Sequence, residues 1–181
     1  MIPEARIRES DDGLVPEGEG WYVLNAKDAR WRERKGLGRW CTLEAEPIPE
    51  LFPDLGFQLC VVQPGQPACM YHGELRQEDF LVVAGECVLV IEDQERKLEA
   101  WDFVHCPSWT NHVFVGAGGG PCVIVMVGAR NADDVDDIVY PVSEVAARHG
   151  ASVETETREP GEAYARFERS LGRYREADLP G

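Results

Sequence analysis

The stretch Tyr71–Glu86, YHGELRQEDFLVVAGE, and its partner Trp101–Phe114, WDFVHCPSWTNHVF, decide how this chain is read. Each joins a few polar residues, His72, Glu74, Glu78 and His112, to runs of β-branched and aromatic residues that favour strands. Side chains alternate between the faces of a strand. His72 and Glu74 therefore point the same way with Cα atoms about 6.6 Å apart, near enough to share one ion.

Outward from these blocks, short apolar runs recur between turn signals from Trp21 onward: WYVL, RWCTL, GFQLCVV, CMYH, CVLVI, the polar hairpin EDQER, HVFV and CVIVMVG. Pro64-Gly65, Gly85 and the glycines at 118–120 punctuate them. Many short strands at regular spacing predict an antiparallel sandwich or barrel. Before it, residues 1–20 are polar and acidic without periodicity and read as a flexible arm. After residue 130, the acidic run Asp133, Asp134, Asp136 and Asp137 ends the β pattern, and an extension over 131–181 is expected to carry two short helices. The first has Ser143 as N-cap, Glu144 in its first turn and Gly150 as stop. The second follows Pro160-Gly161, with Tyr164, Phe167, Leu171 and Tyr174 as one apolar stripe.

A length of 181 residues suits one domain, here a barrel over 21–130 with its arm and extension. The net charge of -15 opposes phosphate backbones and anionic headgroups, so neither nucleic acid nor membrane is an expected partner. No apolar leader or spanning stretch is apparent, which with six scattered cysteines predicts a cytoplasmic chain of reduced, mostly buried thiols. No Ser-His-Asp order, phosphate-cradling loop or dinucleotide fingerprint supports a hydrolase or nucleotide enzyme.

The two blocks resemble the motifs of the cupin superfamily, in its small single-barrel members. The first motif places Gly, His, His, Glu and Gly at set intervals. Gly65 leads to His72, Glu74 takes the second His position, Glu78 follows after three residues and Gly85 after six more. An alternative register with Gly73 in the second His position loses a donor, since a glycine has no side chain to bind a metal. In the second motif Pro107 and His112 are in register, Trp101 and Trp109 replace glycines, and Gly116 replaces Asn. The resemblance covers about residues 57–127. It implies a mainly β protein, a double-stranded β-helix (cupin jelly-roll barrel) with a C-terminal helical extension. One divalent transition metal, Fe, Mn or Zn, is expected inside it on His72, Glu74, Glu78 and His112.

Two functions fit that set. One is a metal-dependent dioxygenase or isomerase acting on a small organic molecule, with Glu78 as its catalytic proton carrier. In that form His72, Glu74 and His112 would make a two-His, one-carboxylate face. A likeness to 2-oxoglutarate-dependent oxygenases is limited by the missing Arg about ten residues past the last His, since Arg130 comes too late. The other is a non-catalytic module that binds a ligand or is stapled by its metal. An ion-free solvated rim is a further alternative, and cupins without metal exist. A zinc set of Cys69, His72, Cys106 and His112 is disfavoured because residues 69 and 72 differ by an odd number. His105 reads as structural without an acidic partner, and His149 as a helix-terminal residue. Gln58, Met70, Tyr71, Phe114 and Met126 are candidate pocket-mouth residues, while Trp101 and Trp109 would shield the pocket or bridge subunits. Exposed strand edges and the apolar stripe predict a homodimer.

Overall fold

The computed structural model describes residues 1–47, 51–130 and 138–179, so the acidic run at 133–137 lies outside the described residues. Among the described residues fourteen strands dominate: β1 (Arg6–Ser10), β2 (Gly13–Glu17), β3 (Arg30–Arg34), β4 (Arg39–Thr42), β5 (Leu55–Val62), β6 (Gly73–Glu74) and β7 (Glu78–Ala84) come first. They are followed by β8 (Glu86–Ile91), β9 (Gln94–Glu99), β10 (Phe103–Cys106), β11 (His112–Ala117), β12 (Cys122–Ala129), β13 (Ile138–Val139) and β14 (Arg169–Gly172). Two short helices, α1 (Glu144–Arg148) and α2 (Pro160–Ala163), lie in the extension.

The main sheet runs β10-β7-β12-β5-β4-β3-β14, and a second sheet runs β11-β8-β9. All the named strand pairs are antiparallel. The inner faces of the two sheets meet in a core of Cys60, Val62, Phe80, Val82, Leu89, Phe114, Cys122 and Ile124. On β5 and β12 the intervening residues, Val61 and Val123, turn the other way and pack with Trp31 and Cys41 beneath Tyr174 and Leu179. The central strands are thus covered on both faces, which is why CVIVMVG reads as a nearly continuous apolar run rather than an alternating one. Trp31 is fully buried and its indole N–H donates to Ala26 O at 2.9 Å, which removes the usual cost of burying that polar atom.

Two expectations need correction. Residues 6–17, expected within a polar arm, form the β1-β2 hairpin with Ser10 paired to Gly13. Gly13 adopts φ +128° and passes so close to Ala29 that a Cβ there would sit 2.6 Å from its carbonyl oxygen. Arg8 ion-pairs with Glu17 across the hairpin and lies 3.4 Å from Glu46. In the extension α1 matches its expected caps, Ser143 accepting from Ala146 N at 3.0 Å and Gly150 adopting φ +71°. The second helix, however, ends at Ala163. Arg169–Gly172 is instead a strand paired with β3, so Tyr164 and Phe167 pack near Met70 and Tyr140 while Leu171 lies exposed on an edge. The three- and four-residue spacing had combined side chains from two different elements.

Finally, the six cysteines are all free, five of them buried. A buried ion pair between Arg39 and Asp178 pins the C-terminal segment to β4, and Arg39 also donates to Arg173 O at 2.8 Å.

Candidate metal centre

His72 and His112 are brought side by side by backbone pairing. His112 N–H donates to His72 O at 2.8 Å, and His72 N–H returns a bond to His112 O at 3.2 Å. Their rings lie 4.9 Å apart between centroids. Close approach is needed here: a Cβ on Gly73 would lie 2.7 Å from the Asn111 side chain and 3.3 Å from Trp109 O. The glycine between the two candidate ligands therefore lets the 109–111 turn close over β6.

Glu78 enters from the first residue of β7, which packs between β10 and β12. The donor atoms of His72, Glu78 and His112 all lie within 4.8 Å of one another. His112 Nε2 is 3.5 Å from Glu78 Oε2, and His72 Nε2 is 3.5 Å from Glu74 Oε1. Two donors each about 2.1 Å from one ion at a tetrahedral angle stand about 3.4 Å apart. The observed spacing suits shared coordination better than direct hydrogen bonds. Glu74 touches the His72 ring but stands at the edge of the three-residue cluster.

The rings are also held in the correct form. His72 Nδ1 lies 2.7 Å from Met70 O, and His112 Nδ1 lies 3.0 Å from Thr110 O. A carbonyl only accepts, so each Nδ1 carries the proton and each Nε2 presents a lone pair to the cluster. Backbone support of this kind fixes the tautomer of a metal-binding imidazole. On these grounds the residues present fit a divalent metal.

Without a metal the two rings differ: burial lowers the His72 pKa, but Cys69 and then Glu74 beside it raise it well above the ordinary histidine value, so a cation at Nε2 would displace a proton there. Burial, then the proximity of His72, holds the His112 ring neutral with its pKa at about 3. Burial first, and the Glu74 carboxylate second, pushes the Glu78 carboxyl up to about 7. Burial acts in the same direction on Glu74, but its contact with His72 outweighs this and keeps it below the ordinary value. Two carboxylates facing two imidazoles inside a barrel leave a region that a cation would compensate.

The cluster opens into a cavity of about 530 Å³. Gln58, Phe114 and Met126 line it as expected, whereas Met70 and Tyr71 do not. Phe80 packs on the His112 ring at 5.0 Å and Tyr140 on His72 at 5.8 Å. Cys69 also lines the cavity, with its sulfur 3.7 Å from His72 Nδ1. The odd-number argument fails there because residues 69–71 lie outside regular strand, yet Cys69 is not in the donor cluster. His105, expected to lack an acidic partner, lies 2.7 Å from Asp79 on an outer face, opposite it in register. His149 caps α1 and lies 2.9 Å from Glu95.

Sequence reasoning missed the cationic and phenolic walls. Arg32, Arg76, Arg130, Tyr140 and Tyr164 all line the cavity. Arg130 reaches it with its guanidinium 2.9 Å from Glu44 and hydrogen-bonded to Phe52 O and Leu55 O. Trp101 and Trp109, standing where the family motif has glycine, retain the left-handed backbone at φ +80° and +65°.

Residues 58–128 match the cupin domain family, so the chain carries a cupin domain. Solved structures repeat the architecture. The polyketide cyclase RemF of Streptomyces resistomycificus is 16% identical with a TM-score of 0.52, over 65% of this chain and 89% of that one. A cupin 2 domain-containing protein of Halorhodospira halophila is 21% identical with a TM-score of 0.50, over 66% and 81%. A predicted oxalate decarboxylase of Thermotoga maritima is 16% identical with a TM-score of 0.52, over 60% and 99%. At these identities the likeness establishes the double-stranded β-helix fold. A comparison with curated proteins found no match. Among the described residues no helix is long and apolar enough to cross a membrane.

Proposed function

We propose that this protein is a metal-dependent cupin enzyme that takes a small organic molecule into its barrel, as a dioxygenase or an isomerase. The observation that carries the reading is the convergence of His72, Glu78 and His112 on one point in a cavity of about 530 Å³. His72, Glu78 and His112 would hold one divalent ion, with Glu74 as a fourth donor or a neighbour. Two imidazoles with carboxylate oxygen suit Fe and Mn, and Zn through the imidazoles. Such an ion supplies Lewis-acid polarisation of a bound oxygen atom or, as iron, oxygen activation.

The chain's own groups divide the remaining work. With Glu78 in the donor cluster, Glu74 is the carboxylate placed to carry a proton, 3.5 Å from the His72 ring. This division has better geometric support than the reverse, in which Glu74 binds and Glu78 moves the proton. Phe80, Phe114 and Met126 exclude water from the cavity wall. A site with three protein donors keeps positions open for substrate, which favours catalysis over a structural staple. Six free thiols support a reducing, cytoplasmic setting, and exposed Trp101 and Phe103 beside edge strand β10 support a homodimer.

The test is elemental analysis after loading with Fe, Mn or Zn, followed by oxygen uptake and carbonyl-isomerisation assays. About one metal per chain is expected. Support from an outer hydrogen bond is commonly worth about 10–100-fold in metal affinity, and His112→Ala, which removes a donor outright, should cost at least that. Wild-type protein that retains no metal under any loading would sink the reading. Retention of metal with loss of thermal stability on chelation, but no turnover, would favour the binding module.

A further inference from the structure

A second polar feature occupies the same face of the main sheet. Along β3, Trp31 is buried in the outer core while Arg32 and Arg34 turn toward the cavity side. β14 pairs with β3 so that Arg169 stands directly opposite Arg34. These three arginines, with Glu33, Trp40 and Tyr164, line a recess of about 200 Å³ that shares Arg32, Trp40 and Tyr164 with the main cavity.

Among the described residues none of the three has an ion-pair partner. Arg32 donates to the neutral Gln58 Oε1 at 2.8 Å and lies 5.9 Å above the Trp40 ring. Arg34 lies 4.4 Å above the Tyr164 ring. Glu33 is already engaged, 3.0 Å from Arg39 and 2.7 Å from Arg175. Burial first, then the nearby Arg169, lowers the Arg32 guanidinium from its ordinary range.

An exposed arginine without a partner is ordinary. Three on one face are not, in a chain where 33 acids outnumber 18 lysines and arginines. Like charges directly opposite in an antiparallel pair are destabilising, so the Arg34-Arg169 register costs stability unless something negative lies between them. Planar guanidinium forks match the geometry of carboxylate and phosphate oxygens, and the contacts to Gln58 and Trp40 hold Arg32 in place before any ligand arrives.

We propose that this recess binds a doubly charged oxyanion, a phosphate ester or a pair of carboxylates, carried by the substrate whose reacting end lies at His72, Glu78 and His112. The location of the reacting end rests on the metal-centre reading, whereas the anion site rests on the arginines alone. A substrate would thus be gripped at one end and transformed at the other, with the shared wall of Arg32, Trp40 and Tyr164 between.

The test measures thermal shift and calorimetric binding of inorganic phosphate and of malonate, against sodium chloride of equal ionic strength, on metal-free and metal-loaded full-length protein. At least one of the two anions should raise the melting temperature beyond the chloride control, with or without metal. Arg34→Gln and Arg169→Gln should each weaken that binding about tenfold, the size expected for losing one charged hydrogen bond. Without anion both variants should melt at or above the wild-type temperature, because a like-charge contact has gone. An arginine serving only structure would instead lower it. Phosphate binding alone identifies a phosphate ester, and malonate binding alone a dicarboxylate. If metal fails to bind while the anion does, the recess stands and the metal reading falls. No shift beyond chloride from either anion, or binding unchanged in both variants, overturns the proposal.

Discussion

The donor cluster and the arginine recess lie on either side of a shared wall, Arg32, Trp40 and Tyr164, and carry opposite chemistry. His72, Glu74, Glu78 and His112 gather carboxylates and imidazole nitrogens at one place. Arg32, Arg34 and Arg169 gather cations that have no carboxylate ion-pair partner among the described residues. Their separation makes the electrostatics of each region independently testable.

The largest expected effect comes from a third arrangement on the same wall, where the pairing is complete. Glu44 is 4% exposed, accepts from Phe57 N at 2.5 Å and lies 2.9 Å from Arg130. Glu44→Ala removes the partner of a partly buried guanidinium and should cost about 3–5 kcal/mol in chemical denaturation, as for other broken buried pairs. Arg32→Gln removes a cation with no such partner and should leave stability unchanged or slightly higher. Equal losses in the two variants would break the distinction between a structural arginine and one kept for a ligand.

The metal-free donor cluster should show the next effect, and its sign depends on pH. Glu78 is raised by burial from 4.5 to about 7, so its contribution is fully present below pH 4.5 and is lost as pH rises through 7. A change of this size corresponds to about 3 kcal/mol. His112, lowered from 6.5 to about 3, works the other way, giving stability above pH 6.5 that is lost as pH falls toward 3. Metal-free Glu78→Gln should therefore be more stable than wild type at pH 8 and equal to it near pH 4.5. Added metal should reverse the ranking at pH 8. Parallel stability profiles for the two proteins, measured in urea across this range, would show that Glu78 is not held as an uncompensated buried acid.

The two regions also differ in how far the sequence discloses them. The donor cluster was legible because its residues fall in two local blocks, with His72, Glu74 and Glu78 inside seven residues and His112 on the strand that returns beside them. The recess was not, since Arg34 and Arg169 meet only through the β3-β14 pairing, and the segment ending in β14 carried a misleading helical spacing. Arg130 was set aside on its distance in sequence, whereas β12 runs straight from the core to the cavity rim and delivers it there. The N-terminal hairpin did leave a signal: Asp11-Asp12-Gly13 is a turn between Ile7 and Val15, and Ile7 is adjacent in register to the Arg8-Val15 pair. The overall acidity of the segment obscured it. Elsewhere the β alternation, the Glu92-Asp93 turn with both residues at positive φ, and the Ser143 cap follow local rules that a sequence displays directly.

The smallest effect concerns the turn from β9 to β10, at the other end of the β10-β7 ladder from Glu78. Trp101 adopts φ +80° and is 75% exposed, so its indole packs little while its backbone occupies a conformation disfavoured for any residue with a Cβ. Left-handed backbone costs an ordinary residue about 1–2 kcal/mol, from which glycine is exempt. Trp101→Gly should therefore raise the stability of an isolated chain by about 1 kcal/mol, read as a small upward shift in melting temperature. Trp109 should gain less from the same change, because its ring is 38% exposed and lies under Arg158 at 5.3 Å. If a second copy covers Trp101 and Phe103, the sign inverts. Trp101→Gly would then lower the melting temperature and shift sedimentation toward the monomer, and the strained tryptophan would be explained by what it contacts rather than by the turn it occupies.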